Sequence, residues 1–157
     1  MAYKERVRYR PPRRSIARLN RVVGRLAALG LAPSDTVELE VPGRRTGKPR
    51  RVSLVWAEHQ GNRYLVSLAG ESEWVRNVRA AGYRAQIRHG RRQHVRLEEV
   101  PVEERAPILK AYLSKRAASK SPEYEAREFF GVSPDPTLDE LAAIANHYPV
   151  FRMAALR

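Results

Sequence analysis

From Thr36 to Val41 apolar and polar residues alternate, with Val37, Leu39 and Val41 on one side and Glu38 and Glu40 on the other. Period two is the mark of a half-buried strand. Arg51–Trp56 repeats the pattern and predicts a second strand. Arg63–Leu68 predicts a third, entered through a hairpin at Gly61-Asn62. Tyr83, Ala85 and Ile87 then alternate with Arg84, Gln86 and Arg88 in a fourth. After a turn at Gly90, Gln93–Val100 makes a fifth with Val95 and Leu97 facing inward, and a closing strand is expected over Tyr148–Leu156.

Helical spacing takes over elsewhere. Ile16, Leu19, Val22, Val23, Leu26 and Leu29 recur at a period near 3.6 opposite Arg18, Arg21 and Arg25. They predict a helix capped by Ser15 and ended by Gly30 and Pro33. Ser72 caps a short helix over Glu73–Ala81 that Gly82 closes. Further helices are expected over Val102–Arg116, with Pro107 confined to the first turn or a kink, and from Ser121-Pro122 to Phe130. Thr137 and Glu140 form a capping box that opens a last helix, to about Asn146. Strands followed by segregated helices predict an α+β fold with an antiparallel sheet or barrel. The expectation is one domain over residues 15–157 behind a basic arm, residues 1–14.

Composition narrows the class. A 43% hydrophobic content suits a packed domain, and a net charge of +13 points to anionic partners. Zero cysteines exclude disulfides, a thiol nucleophile and thiolate metal ligands. The longest apolar run, Leu26–Ala32, falls far short of the about 20 residues that span a bilayer. A cytoplasmic protein is expected, with the helix over residues 15–29 either packed on the domain or lying on an anionic membrane.

The charge concentrates between the first two strands, in Gly43-Arg44-Arg45-Thr46-Gly47-Lys48-Pro49-Arg50-Arg51, which holds five cations and no acid. Two glycines can turn backbone N–H groups inward while arginines supply forked donors, so this turn is a candidate anion clamp. A solvated hairpin tip is the plainer alternative. The turn is not a P-loop, because three residues rather than four separate its glycines, proline follows the lysine and a strand comes next. No G-x-G-x-x-G run follows a strand, so a Rossmann unit is excluded as well. Trp74 and Asn77, three apart on the short helix, can wall a planar heteroaromatic ligand and bond its edge. Residues Arg84–Arg96 add five arginines, two histidines and no acid, making one face of that hairpin strongly positive. The four histidines lack metal-ligand spacing, and no nucleophile elbow or carboxylate pair is present. No metal is expected, and an enzyme built on this chain would take its reactivity from a cofactor.

The basic turn, the strand Arg63-Tyr64-Leu65-Val66-Ser67, the helix Trp74–Gly82 and His147-Tyr148-Pro149-Val150-Phe151-Arg152 occur in that order. Together they resemble the deazaflavin-dependent nitroreductase family, also described as coenzyme F420-dependent quinone reductases. The resemblance covers about residues 35–152 and implies a split β-barrel with flanking helices that binds coenzyme F420, a deazaflavin with a phospholactyl arm and a polyglutamate tail. It places Thr46, Lys48 and Arg51 at the phosphate, with Arg44, Arg45, Gly47 and Arg50 close by. Ser67, Leu68, Ala69 and Gly70 would run along the ring, and Trp74, Asn77 and Val78 would close its pocket. The loop Ala69–Glu73 is shorter and more acidic than in the nitroimidazole-activating members. Tyr64, Tyr112 and Tyr148 are candidate donors to an electron acceptor, which would be a quinone, a nitro compound or an activated double bond. FMN is the alternative cofactor, and a non-enzymatic carrier or a nucleic-acid-binding protein the alternative class. Against nucleic acid, the cations sit in turns and one hairpin rather than along a recognition helix. A monomer or homodimer fits the resemblance equally.

Overall fold

The computed structural model describes residues 35–116 and 126–156, together with Val22 and Leu29. The arm expected over residues 1–14, most of the helix expected over 16–29 and the start of the helix expected at Ser121 lie outside the described residues. Among the described residues there are six strands: β1 Thr36–Pro42, β2 Pro49–His59, β3 Asn62–Val66, β4 Arg84–His89, β5 Arg91–Glu99 and β6 Val150–Ala155. They close into an antiparallel barrel in the order β1-β2-β3-β6-β5-β4. Among the described residues the α-helices are α1 Glu73–Ala80, α2 Arg105–Arg116 and α3 Leu138–Ile144. The expected α+β barrel with flanking helices is the fold the chain adopts. Its contacts group into two compact units, one holding Ala57–Ser72 and Glu99–Arg152, the other the stretch ending at Trp56, Glu73–Glu98 and the residues from Met153.

In the second of these units β1 pairs with β2 on one edge and β4 on the other. Val37, Leu39 and Val41 are at most 1% exposed, as their alternation requires. Burying each such side chain contributes about 1.5–3 kcal/mol. Pro42 and Pro49 face each other at the strand ends, so the missing N–H groups cost little there. His89 Nδ1 lies 2.8 Å from the Thr36 carbonyl and therefore carries the proton, while its ring meets Trp56 edge-on with centroids 5.9 Å apart. That histidine is structural.

In the other unit the β2–β3 hairpin turns on Gln60-Gly61, one residue earlier than the expected Gly61-Asn62. Both central residues have positive φ, 49° and 74°, the requirement of a two-residue turn that matches strand twist. The helix expected over 102–116 starts as a single 3-10 turn, Val102–Glu104, before α2. Pro107 falls in the first turn of α2, where its absent N–H has no partner to lose. The capping box of α3 is complete: Glu140 N donates to Thr137 Oγ1 at 3.2 Å, and Thr137 N donates to Glu140 Oε2 at 2.8 Å. Gly131, at φ 66°, follows the helical turn Ala126–Phe130. Proline at 149 shortens the last strand, which begins at Val150, and its carbonyl accepts from Ser67 N at 2.9 Å.

One buried cation organises this unit. Arg105 is 6% exposed and donates to the carbonyls of Val100 at 2.9 Å and of Ala145 and Tyr148 at 3.2 Å each, with Glu99 Oε1 at 3.5 Å. Its planar fork satisfies the end of β5 and the turn after α3 together, a geometry that a point-charge ammonium cannot reproduce. Arg105→Lys is therefore expected to cost about 2–4 kcal/mol, because buried carbonyls lose their donors. Urea unfolding checks this, and an unchanged midpoint would refute the bracing role.

Candidate functional site

The basic turn between β1 and β2 is closed by its own backbone. Gly43 N donates to Lys48 O at 2.9 Å and Gly47 N to Gly43 O at 2.7 Å. Lys48 N reaches Thr46 Oγ1 at 3.3 Å, and Arg44 N reaches Asn77 Oδ1 at 3.1 Å. Four of the turn's N–H groups are thus already used. The glycines shape the turn instead of presenting N–H groups to an anion, which corrects the expectation of a backbone clamp. Gly47 adopts φ 68°, and a Cβ on Gly43 would meet Arg50 Cγ and Lys48 O at 3.2 Å.

The five cations divide into two groups. Arg44 Nη1 donates to Glu73 Oε2 at 2.7 Å and to Asn77 Oδ1 at 3.1 Å. With its backbone bond to the same amide oxygen, Arg44 latches the turn to α1. The Arg44 hydrogen bond holds Glu73 below the usual carboxylate range and lifts Arg44 further above its own. Arg51 is committed to β1, with Nε 2.5 Å from Glu40 Oε2 and 4.0 Å from Glu38 Oε1. The hydrogen bond to Glu40 raises the Arg51 pKa. Arg45, Lys48 and Arg50 are exposed and form no salt bridge among the described residues, although the charge of Arg45 is felt by Glu73. Register sets Arg50 opposite Val41 and Arg51 opposite Glu40, so adjacent arginines leave opposite faces of β2.

On α1, Val78 is buried, Trp74 is half-buried, and the buried Asn77 accepts two hydrogen bonds from Arg44 through the oxygen expected at a ligand's edge. Asn77 therefore positions the turn. The Ser67–Gly70 segment is braced within its own unit. Ser67 Oγ donates to Gly70 O at 2.6 Å and lies 3.0 Å from the Ser72 hydroxyl, while Gly70 holds φ 67°. Leu68 and Ala69 are half-buried.

The three tyrosines singled out as donors are core residues. Tyr148 is 1% exposed, gives its hydroxyl proton to the Phe129 carbonyl, and stacks on Phe130 with centroids 4.7 Å apart. Tyr112 packs on the same ring at 6.2 Å, and Tyr64 is 8% exposed within β3. Alternation and spacing could not distinguish a buried phenol from a site phenol. Glu40 and Glu73, the acids that restrain the turn, were also missed. Glu40 was recoverable from hairpin pairing, whereas Glu73 lies 29 residues from Arg44 and carried no local signal. Among the described residues no cluster of His, Asp or Glu is placed to hold a metal, and no helix is long and apolar enough to cross a membrane.

Comparison with known proteins bears on the chain as a whole. No curated protein sequence matches it. A solved structure described as a domain-swapped dimer is 17% identical, with 89% of this chain and 96% of that one covered at a TM-score of 0.50. One described as a 5-nitroimidazole antibiotic resistance protein from Bacteroides thetaiotaomicron is 14% identical, with 78% and 74% covered at 0.50. An F420-H2 dependent reductase is 19% identical, with 77% and 95% covered at 0.48. At such identities the first two structures speak to the fold alone. The model of the F420H(2)-dependent quinone reductase family matches residues 12–130, a span that contains the basic turn and α1 and exceeds half the chain. The chain belongs to the F420H(2)-dependent quinone reductase family.

Proposed function

We propose that this chain is an F420-dependent oxidoreductase in which the basic turn grips the cofactor's phosphate and the reduced deazaflavin passes hydride to a quinone, a nitro compound or an activated double bond. The observation that carries this reading is the division of the turn's cations. Arg44 is held by Glu73 and fixes the turn to α1, while Lys48 and Arg50, with Arg45 only at longer range from Glu73, form no salt bridge on a segment whose backbone is already closed. A phosphodiester needs cationic and hydroxyl donors, and these side chains with the Thr46 hydroxyl supply them. Coenzyme F420, when bound, supplies a hydride at C5 of its ring. The protein's share is orientation and stabilisation of developing charge. Pre-closing the turn lowers the ordering cost of binding, because the donors ride on a frame that does not have to fold around the anion. Arg51 leaves the face of β2 opposite Arg50 and would have to exchange Glu40 for phosphate to join the grip, so Lys48 is the residue to test first.

Titration with coenzyme F420, FMN and a short oligonucleotide at physiological salt tests this reading. Coenzyme F420 is expected to bind most tightly, and Lys48→Ala to weaken it about tenfold or more through loss of a charge-assisted bond. Turnover of menadione by the loaded protein separates an enzyme from a carrier. Tight, salt-sensitive oligonucleotide binding without F420 binding would refute the proposal.

The latch makes a separate prediction. Because Arg44 depresses the folded-state pKa of Glu73, its contribution is complete above the ordinary glutamate range and fades as pH falls through the lowered value. The stability gap between wild type and Glu73→Gln should be level at neutral pH and close in acid. Thermal melts across pH 2–7, taken as the range of roughly two units either side of the ordinary glutamate value, measure it. A gap that does not move with pH would exclude the latch.

A further inference from the structure

The cationic β4–β5 face is not absorbed by the proposed cofactor grip. Register assembles it in rows. Glu40 on β1 faces Gln86 on β4, which faces His94 on β5. One row away Arg84 faces Arg96, and on the other side Arg88 faces Arg92. Like charges directly opposite each other across strands are destabilising, and this sheet carries two such pairs on one face. Among the described residues none of these four arginines has an ion pair. Glu38 on β1 lies opposite Arg88, but beside Arg84 the nearest acid by register, Glu40, has its carboxylate taken by Arg51 at 2.5 Å.

A cavity of about 400 Å³ opens on this face, within the usual range for small-molecule sites. Arg84, Gln86, His94 and Glu40, the last with its carboxylate engaged by Arg51, supply its polar wall, and Pro42, Pro49 and Leu156 its apolar one. Gln86 Oε1 is the buried side-chain polar atom that lacks a hydrogen-bond partner among the described residues. An orphaned buried oxygen costs stability, and rotation of the Gln86 amide toward the cavity would let a ligand's donor satisfy it. No residue from Arg44 to Lys48 lines the cavity, although Pro42 and Pro49 bring it close to the turn.

We propose that this cavity is a second binding site, for an apolar organic anion that carries its own hydrogen-bond donor. Each demand comes from a different set of side chains. Arg84 and His94 call for a carboxylate, sulfonate or phosphate. The acceptor-only oxygen of Gln86 calls for an N–H or O–H, and the prolines with Leu156 call for a ring or short chain. Hydroxylated or amino-substituted aromatic acids combine all three. The proposal does not depend on the cofactor reading, since it uses none of the residues assigned to the phosphate.

The probe is 8-anilinonaphthalene-1-sulfonate, which has a sulfonate, an N–H and apolar rings. It is titrated by fluorescence into the full chain, free and saturated with coenzyme F420, with salicylate as competitor. Saturable one-to-one binding that salicylate displaces and F420 leaves in place is expected. Arg84→Gln should weaken it about tenfold. Gln86→Leu should weaken it too while raising the melting temperature of the free protein, a pairing that a purely structural glutamine would not produce. Absence of saturable binding, affinity unchanged in both variants, or displacement by F420 would each overturn the proposal. The last would make the cavity part of the cofactor site. If F420 does not bind at all, the cofactor reading fails while the titration of the free chain still decides this one.

Discussion

Strand β1 is paired on both edges, and its register is the constraint on which the unit carrying the basic turn depends. Val37, Leu39 and Val41 are buried on one face, with Glu38 and Glu40 on the other. A slip of one residue would send two carboxylates into the core, at a cost that no surface interaction could offset. With that slip forbidden, every neighbour is placed. Glu40 meets Arg51 on one side and Gln86 on the other, Arg50 goes to the opposite face, and the six residues between Pro42 and Pro49 must form the turn.

The same economy governs charge. A chain of net +13 has few acids to spend, and several of them restrain particular arginines. Glu73 holds Arg44, Glu40 holds Arg51, and Glu99 sits beside the buried fork of Arg105. The exposed pairs contribute little stability individually. Their effect is positional, because they decide which cations are tied to the protein and which remain available to an anion. The basic turn and the β4–β5 face are what that pairing leaves over. At the turn the available cations sit on a pre-closed loop, while on the sheet they stand opposed across strands beside a cavity with an orphaned amide oxygen.

Much of this was legible in the chain. Period-two alternation located five of the strands closely, because a sheet with one buried face writes its register into sequence. The capping box at Thr137–Glu140 and the helix stop at Gly82 were read correctly for a local reason: each is closed by groups within a few residues. The hairpin at Gln60-Gly61 was misplaced by one residue, since which pair takes positive φ depends on strand pairing and not on the turn's composition alone. The tyrosines were misjudged for the opposite reason. A phenol buried against Phe130 and one lining a site have the same local sequence signal.

By itself the sequence determined the α+β barrel class, the position of the basic turn and the family to which the chain belongs, because patterning and short motifs are properties of neighbouring residues. Only the tertiary structure decided which of the turn's cations are available. It joined Arg44 to Glu73 and Asn77 across 29 and 33 residues, and it set Arg51 against β1. It also brought Arg84, Gln86 and His94 onto one cavity wall beside Leu156 from the far end of the chain. Apart from the Arg51–Glu40 pair, which one hairpin spans, such pairings depend on how distant strands and helices close on one another, and no window of local sequence contains both partners.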